Sequence, residues 1–317
     1  MNTLDSILEE IKQADSIVIL THQNPDGDAV GSALAMYLAL KQIGKNPDVI
    51  ILECPRIFEF LPGMENVKEK SDIERYDLAI TVDCSTIKML NGFANYFENA
   101  KTRISIDHHS TNTMFGDINF VNPDAPACAQ ILIGIFSHFG VEIDREIGTC
   151  ILTGIITDTG GFKYAGVTAE TFEFVAFLLN RGVNVSKIYR RVLQMKTKPN
   201  FELHRIANNR LEFLEEGKIA YTYITMEDEQ SVGADIGDHE GIVENGRDIE
   251  GVEVSVFVRE TDEGFKVSLR SNEYVNVADV ALIFGGGGHL RAAGVLMQGT
   301  REQVKEKLIY QIKAQLK

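Results

Sequence analysis

At 317 residues the chain exceeds what a single hydrophobic core ordinarily serves, so two domains are expected. With 44% hydrophobic and 24% charged residues it reads as globular protein, and no apolar run is long enough for a membrane-spanning helix. A formal charge of −15, from 31 Lys and Arg against 46 Asp and Glu, argues against long DNA or RNA gripped along its backbone, while leaving open a small anion held by metals and a few local cations.

Residues 1–14 read as an amphipathic acidic helix without the basic start and apolar centre of a signal peptide, which predicts a cytoplasmic chain. A buried strand is expected over 16–21, a helix over 29–43 stopping near Gly44, and a strand over 49–52. Two more strands, 78–82 and 103–106, complete a set of short apolar runs separated by helices. That is the pattern of a parallel sheet covered on both faces. Helical pattern dominates 127–192, strongest at 131–139, 147–156 and 169–179, and the polar stretch 195–200 with Pro199 reads as a linker. Strands follow over 219–225, 252–258 and 265–271, the last two joined by a hairpin connection at 259–264. A short helix over 277–284 leads into four consecutive glycines, and a charged helix over about 301–316 closes the chain. Cys54, Cys84, Cys128 and Cys150 lie far apart, which argues against a zinc knuckle or a disulfide framework and favours reading them as small buried apolar residues. The fold expected is α/β: a doubly wound parallel sheet in a domain over 1–190, a linker over 191–200, and a smaller α+β domain over 201–317.

The chemistry-bearing residues fall at strand ends. His22, Asp26 and Asp28 follow the first strand, Asp83 follows the third, and Asp107, His108 and His109 follow the fourth. In an open parallel sheet those ends share one rim, where ligands bind. Asp158 ends a later apolar run and can join them. Singly, each segment reads sooner as a turn or a helix cap at Asp28, Asp83 or Asp158 than as a site. Jointly they do not, because caps give no reason for three of seven histidines to lie beside strand-end aspartates. Clustered carboxylates also need a counter-charge. Mixed imidazole and carboxylate donors without thiolate suit Mn²⁺, Co²⁺ or Zn²⁺ better than Ca²⁺ or Mg²⁺. So many carboxylates suggest two ions sharing one bridging Asp, the arrangement that activates water against phosphorus.

His22-x-x-x-Asp26-x-Asp28, a lone Asp83, Asp107-His108-His109 and Asp158, in this order, resemble the DHH phosphoesterase family. The segment from Gly285 through Gly286, Gly287, Gly288, His289, Leu290 and Arg291 to Gly294 is similar to the signature of that family's C-terminal DHHA1 domain. In length and domain content the chain is most similar to the bifunctional oligoribonucleases and pAp phosphatases, the nanoRNases. The resemblance implies that His22 and Asp26 hold one metal, that Asp28, His108 and Asp158 hold the other, and that Asp83 bridges. It further implies that His109 contacts the scissile phosphate and that Asp107 supports the His pair. Arg270, Ser271, Gly286, Gly287, Gly288, His289 and Arg291 would bind substrate, with the active site in a cleft between the domains. Two divalent ions are implied, Mn²⁺ first, with Co²⁺ or Mg²⁺ as alternatives. Implied substrates are oligonucleotides from dinucleotides to a few residues, cut to nucleoside monophosphates, and the bisphosphate 3′-phosphoadenosine 5′-phosphate (pAp), converted to AMP. Long nucleic acid and membranes are not expected partners, and a homodimer is open. Alternatives are a cyclic or linear di-AMP or di-GMP phosphodiesterase, an inorganic pyrophosphatase, or a catalytically idle nucleotide-binding regulator. A full ligand set argues against idleness. The Gly-rich segment, where a pyrophosphatase would carry a Lys/Arg-rich motif, argues against that enzyme. His138, His204 and His239 have no such context and read as surface or core residues.

Overall fold

The computed structural model describes residues 3–52, 54–164, 166–235 and 237–316, so the first two positions of the expected N-terminal helix lie outside them. The chain divides into two compact units between Met195 and Lys196. Among the described residues no helix is long and apolar enough to cross a membrane.

The first unit runs α1 (Thr3–Gln13), β1 (Ile17–Leu20), α2 (Gly27–Gln42), β2 (Asp48–Ile50), β3 (Val67–Lys68), β4 (Leu78–Val82), α3 (Ala94–Glu98), β5 (Thr102–Asp107), β6 (Ile118–Val121), α4 (Cys128–Phe139), α5 (Arg145–Asp158), α6 (Ala169–Asn180) and α7 (Val185–Tyr189). Its six strands lie in the order β3-β2-β1-β4-β5-β6, and every neighbouring pair is parallel. β1 and β4 are buried along their whole length, as continuous apolar runs in a two-sided sheet must be. Leu20 pairs with Ile50 and Thr81, and Val82 pairs with Ile106. The C-terminal ends of β1, β4 and β5 are therefore adjacent. The edge strands β3 and β6 went unread in sequence, because neither has a buried position and so neither has an apolar run.

α2 is buried along most of both faces and packs against α4 and α5. The close approach needs glycine. A Cβ at Gly154 of α5 would stand 2.6 Å from Asp28 Oδ1 and 2.6 Å from Ala129 Cβ. Gly154→Ala is therefore expected to destabilise the fold by about 1–3 kcal/mol, although alanine is the better helix former. Denaturant unfolding measures this, and an unchanged midpoint would show that α5 can simply shift away.

The second unit runs α8 (Lys198–Asn209), β7 (Glu212–Leu214), β8 (Ile219–Ile224), α9 (Met226–Val232), α10 (Ile242–Arg247), β9 (Val254–Thr261), β10 (Gly264–Ser271), α11 (Val277–Ile283), β11 (Gly287–His289), β12 (Ala292–Met297) and α12 (Arg301–Lys313). Its sheet order is β11-β12-β10-β9-β8-β7, antiparallel except for the parallel pair β8 and β9. One face packs on α11 and α12 around Val256, Val267, Leu269, Val280 and Leu308. Part of the other is covered by α8 and α10 through Leu203, Ala207, Ile242 and Phe257.

Three local expectations change. The polar stretch at 195–200 is already helical by Lys198, because Thr197 caps α8 by accepting from Asn200 N and Pro199 sits in the first turn, where no N–H is missed. The connection at 259–264 tightens to a turn at Asp262 and Glu263, since the ladder runs on to Thr261 and Gly264. The second half of the glycine run opens an edge strand, with Gly287 opposite Gly294 and His289 opposite Ala292. Here glycine serves closeness: a Cβ at Gly288 would meet the Ala292 carbonyl at 2.4 Å.

Candidate metal centre

Each acidic side chain at the rim is set by a backbone feature. Asp26 caps α2, its Oδ1 accepting from Asp28 N at 3.0 Å and Ala29 N at 3.1 Å. Asp28, which the turn-and-cap reading made the cap, is instead inside the first turn and buried. Its Oδ2 accepts from Cys128 N at 2.5 Å and its Oδ1 from Ala129 N at 2.9 Å. The N-terminus of α4 is thus anchored on this carboxylate, as helix N-termini favour. Asp83 leaves β4 with φ +55, a left-handed backbone that only a few L-residues tolerate, Asp and Asn among them. Its Oδ1 is buried and accepts no hydrogen bond among the described residues.

The two histidines after β5 are held differently. His108 Nδ1 lies 3.1 Å from the Ala125 carbonyl, so in the neutral ring Nδ1 keeps the proton and Nε2 presents its lone pair. That Nε2 is 3.4 Å from Asp83 Oδ1, 3.5 Å from Asp158 Oδ2 and 3.9 Å from Asp28 Oδ2. His109 Nδ1 bonds Asp107 Oδ1 at 2.8 Å, which leaves its Nε2 as the outward atom. Asp107 is fully buried, and it also accepts from His108 N at 2.8 Å and Asn112 Nδ2 at 2.7 Å. His22 Nε2 lies 3.9 Å from Asp83 Oδ2.

Donor atoms fall into groups lying within 4.8 Å of one another: His22, Asp26 and Asp83, then Asp28, His108 and Asp158, with Asp83, His108 and His109 linking them. The electrostatics fit cations. Burial first, then the Asp83 and Asp158 charges, lift Asp28 well above the usual carboxylate range. Burial and Asp83 raise Asp26 as well, while burial, Asp83 and Asp26 push Asp158 up to about 6 against the pull of His108. Burial opposes charge on His108, yet the surrounding carboxylates outweigh it and lift this imidazole to about 10. Anions are crowded here, and a buried oxygen of Asp83 that accepts no hydrogen bond among the described residues points into the crowd. A donor set of nitrogen and oxygen atoms in two groups sharing Asp83 as neighbour suits divalent cations.

The residues expected in the second unit are placed variously. Arg270 donates from Nε to Glu244 Oε1 at 2.9 Å and keeps further N–H groups. Ser271 is buried and donates to the Val275 carbonyl at 2.7 Å, so its hydroxyl closes a turn and does not face solvent. Arg291 donates to the carbonyls of Val275 and Glu273 and braces the same turn, whose outward carbonyls want such a fork. Gly287 is half-buried, Gly288 and His289 are exposed, and a Cβ at Gly286 would strike the Gly294 carbonyl at 2.3 Å. Sequence reading missed Asn112, which fixes Asp107, and the Ala125 carbonyl behind His108. A polar residue soon after Asp107-His108-His109 could have flagged Asn112, but a backbone carbonyl leaves no sequence signal.

Residues 16–155 match the DHH family, N-terminal domain, and residues 216–317 match the DHHA1 domain. A Thermus thermophilus protein named bifunctional oligoribonuclease and PAP phosphatase NrnA is 33% identical, over 98% of this chain and 93% of its own length. A Streptococcus mutans protein named probable bifunctional oligoribonuclease and PAP phosphatase NrnA is 27% identical, over 93% of each. The crystal structure of an exopolyphosphatase-related protein from Bacteroides fragilis superposes with a TM-score of 0.92 at 27% identity, covering 98% of this chain and 96% of that one.

Proposed function

The chain belongs to the DHH family of phosphoesterases, and from that premise we propose that it cuts oligonucleotides of two to a few residues into nucleoside monophosphates and converts pAp to AMP. The observation carrying this reading is the two donor groups meeting at Asp83, together with a relative of that named activity aligned over nearly the whole chain.

His22 and Asp26 would hold one divalent ion and Asp28, His108 and Asp158 a second, with Asp83 between them. Mn²⁺ is the ion we propose, because nitrogen enters both sets. Ions bound there supply a water of lowered pKa and offset charge on the phosphoryl oxygens. His109, whose Nδ1–H donates to Asp107 and whose pKa that bond raises, would as the imidazolium offer Nε2–H to a phosphoryl oxygen. Asp107 and Asn112 fix that ring, so its orientation is set before substrate arrives. Residues 201–317 would hold the nucleotide through Arg270, His289 and the backbone at Gly286, Gly287 and Gly288, with Arg291 and Ser271 shaping the turn behind them.

The test is to load the protein with Mn²⁺, offer dinucleotides, a ladder of oligomers, pAp, cyclic dinucleotides and pyrophosphate, and resolve products over time. Nucleoside monophosphates from the shortest oligomers and AMP from pAp are expected. Turnover of pyrophosphate or cyclic dinucleotides alone would replace this reading.

A further inference from the structure

Along β10, Lys266, Ser268 and Arg270 alternate with the buried Val267, Leu269 and Ser271, so the three share the outer face of the sheet. The register carries that face onto β9 at Arg259, opposite Lys266. It carries it onto β12 at Leu296, Gly294 and Ala292, opposite Lys266, Ser268 and Arg270. Gly287 of β11 lies beyond Gly294. On the β12 side of Ser268 the surface is therefore bare backbone, over which a planar base or a sugar-phosphate can lie close, while on the β9 side its partner Phe257 lies under α8 and α10. A cavity of about 720 Å³ opens there, lined by Arg259, Lys266, Ser268, Gly286 and Gly294 among others.

The charge on this face is uneven. Arg259 is matched by Glu229 at 2.8 Å and Arg270 by Glu244 at 2.9 Å, whereas among the described residues no carboxylate pairs with Lys266. Burial first, and then the Arg259 and Lys266 charges, hold the neighbouring His239 down at about 4. Asp262 and Glu263, in the turn that joins β9 to β10, line the same cavity.

We propose that this face is a binding track for the later phosphates of a single-stranded oligonucleotide, with Lys266 holding them and Asp262 and Glu263 disfavouring a chain that runs further. The proposal rests on the reading that Arg270 and the glycine segment hold the substrate's first nucleotides. Four residues of strand separate Arg270 from Lys266, roughly 13 Å at about 3.3 Å per residue. Stacked nucleotides advance about 3.4 Å each, so Lys266 meets a phosphate at most about four nucleotides on, and fewer in an extended strand. A dinucleotide and pAp are too short to reach it. The turn carboxylates lie another three to four residues past Lys266, where a growing chain meets like charge. Chain-length preference would then have a physical origin in this one sheet face.

The experiment compares wild type, Lys266→Glu, Lys266→Ala and the double variant Asp262→Asn/Glu263→Gln, Mn²⁺-loaded, on a ladder from dinucleotide to heptanucleotide. It measures kcat/KM at several salt concentrations and anisotropy of labelled oligomers. For Lys266→Glu, kcat/KM is expected to fall on the order of tenfold at four or five nucleotides but less than twofold on dinucleotide and pAp. Lys266→Ala should also flatten the salt slope by about 0.7 on the longer oligomers alone. The double variant should gain several-fold on the longest substrates. An equal loss at every length, or no loss at any, overturns the track while leaving the proposed activity intact. If wild type cuts no oligonucleotide at all, the underlying reading fails first.

Discussion

Asp83→Asn is expected to lower turnover by about three orders of magnitude at saturating Mn²⁺, equivalent to about 4 kcal/mol of transition-state stabilisation. Asparagine is the informative choice because it keeps the shape and tolerates the left-handed backbone at φ +55, so that charge is nearly all that changes. Asp83 adjoins both donor groups, and its loss removes an anion from the sets around His22 and His108 together. Metal content by elemental analysis should fall with activity. The metal-free variant should melt higher than metal-free wild type, since one member of a crowd of buried carboxylates has gone. Near-normal turnover with full metal content would remove Asp83 from the centre. A lower melting point in the metal-free state would mean that the carboxylate crowd is not the source of strain.

His109→Ala is expected to separate chemistry from metal holding. Its Nδ1 is already engaged by the buried Asp107, and its ring lies beside that of His108 with centroids 4.6 Å apart. Removing one positioned donor to a developing oxyanion ordinarily lowers kcat by about 10²–10³. Metal content should stay near that of wild type, because His22, Asp26, Asp28, Asp83, His108 and Asp158 remain. Asp107→Asn should give a smaller loss in the same direction, acting through the orientation of both histidines. Loss of metal on removing His109 would instead make it a ligand.

Much of the first unit was legible because buried parallel strands write continuous apolar runs. The expected strand over 78–82 coincides with β4, and the helices around 131–139 and 147–156 are the cores of α4 and α5. Strand-end positions then brought His22, Asp83, Asp107, His108 and His109 to one rim without any coordinate. What escaped had no side-chain signature. β6 is only half-buried, the Ala125 carbonyl is backbone, and so are the amides of Cys128 and Ala129. In the second unit, β12 alternates Ala292, Gly294 and Leu296 outward with Ala293, Val295 and Met297 inward. Small residues on both faces, next to four glycines, blurred that period into apparent turn. Sequence could not show either that the guanidinium of Arg291, expected as an anion contact, also donates to two carbonyls of its own turn.

The bond from Asp28 to the amides of Cys128 and Ala129 spans about one hundred residues of chain, and it has a consequence for the order of assembly. Its acceptor lies in the first turn of α2 and its donors open α4, so neither helix can complete this end alone. The same carboxylate belongs to a donor group whose other members, His108 and Asp158, stand far along the chain from it. For this second group, nascent polypeptide emerging through α2 thus carries one ligand and no chelate, unlike a zinc finger whose ligands lie within one short loop. Ion capture at the second group must follow the docking of α4 and α5, late in maturation and after the non-local contacts that make such topologies slow to form. A chain stalled before α5 would fold part of its sheet and still be unable to retain an ion at the second group.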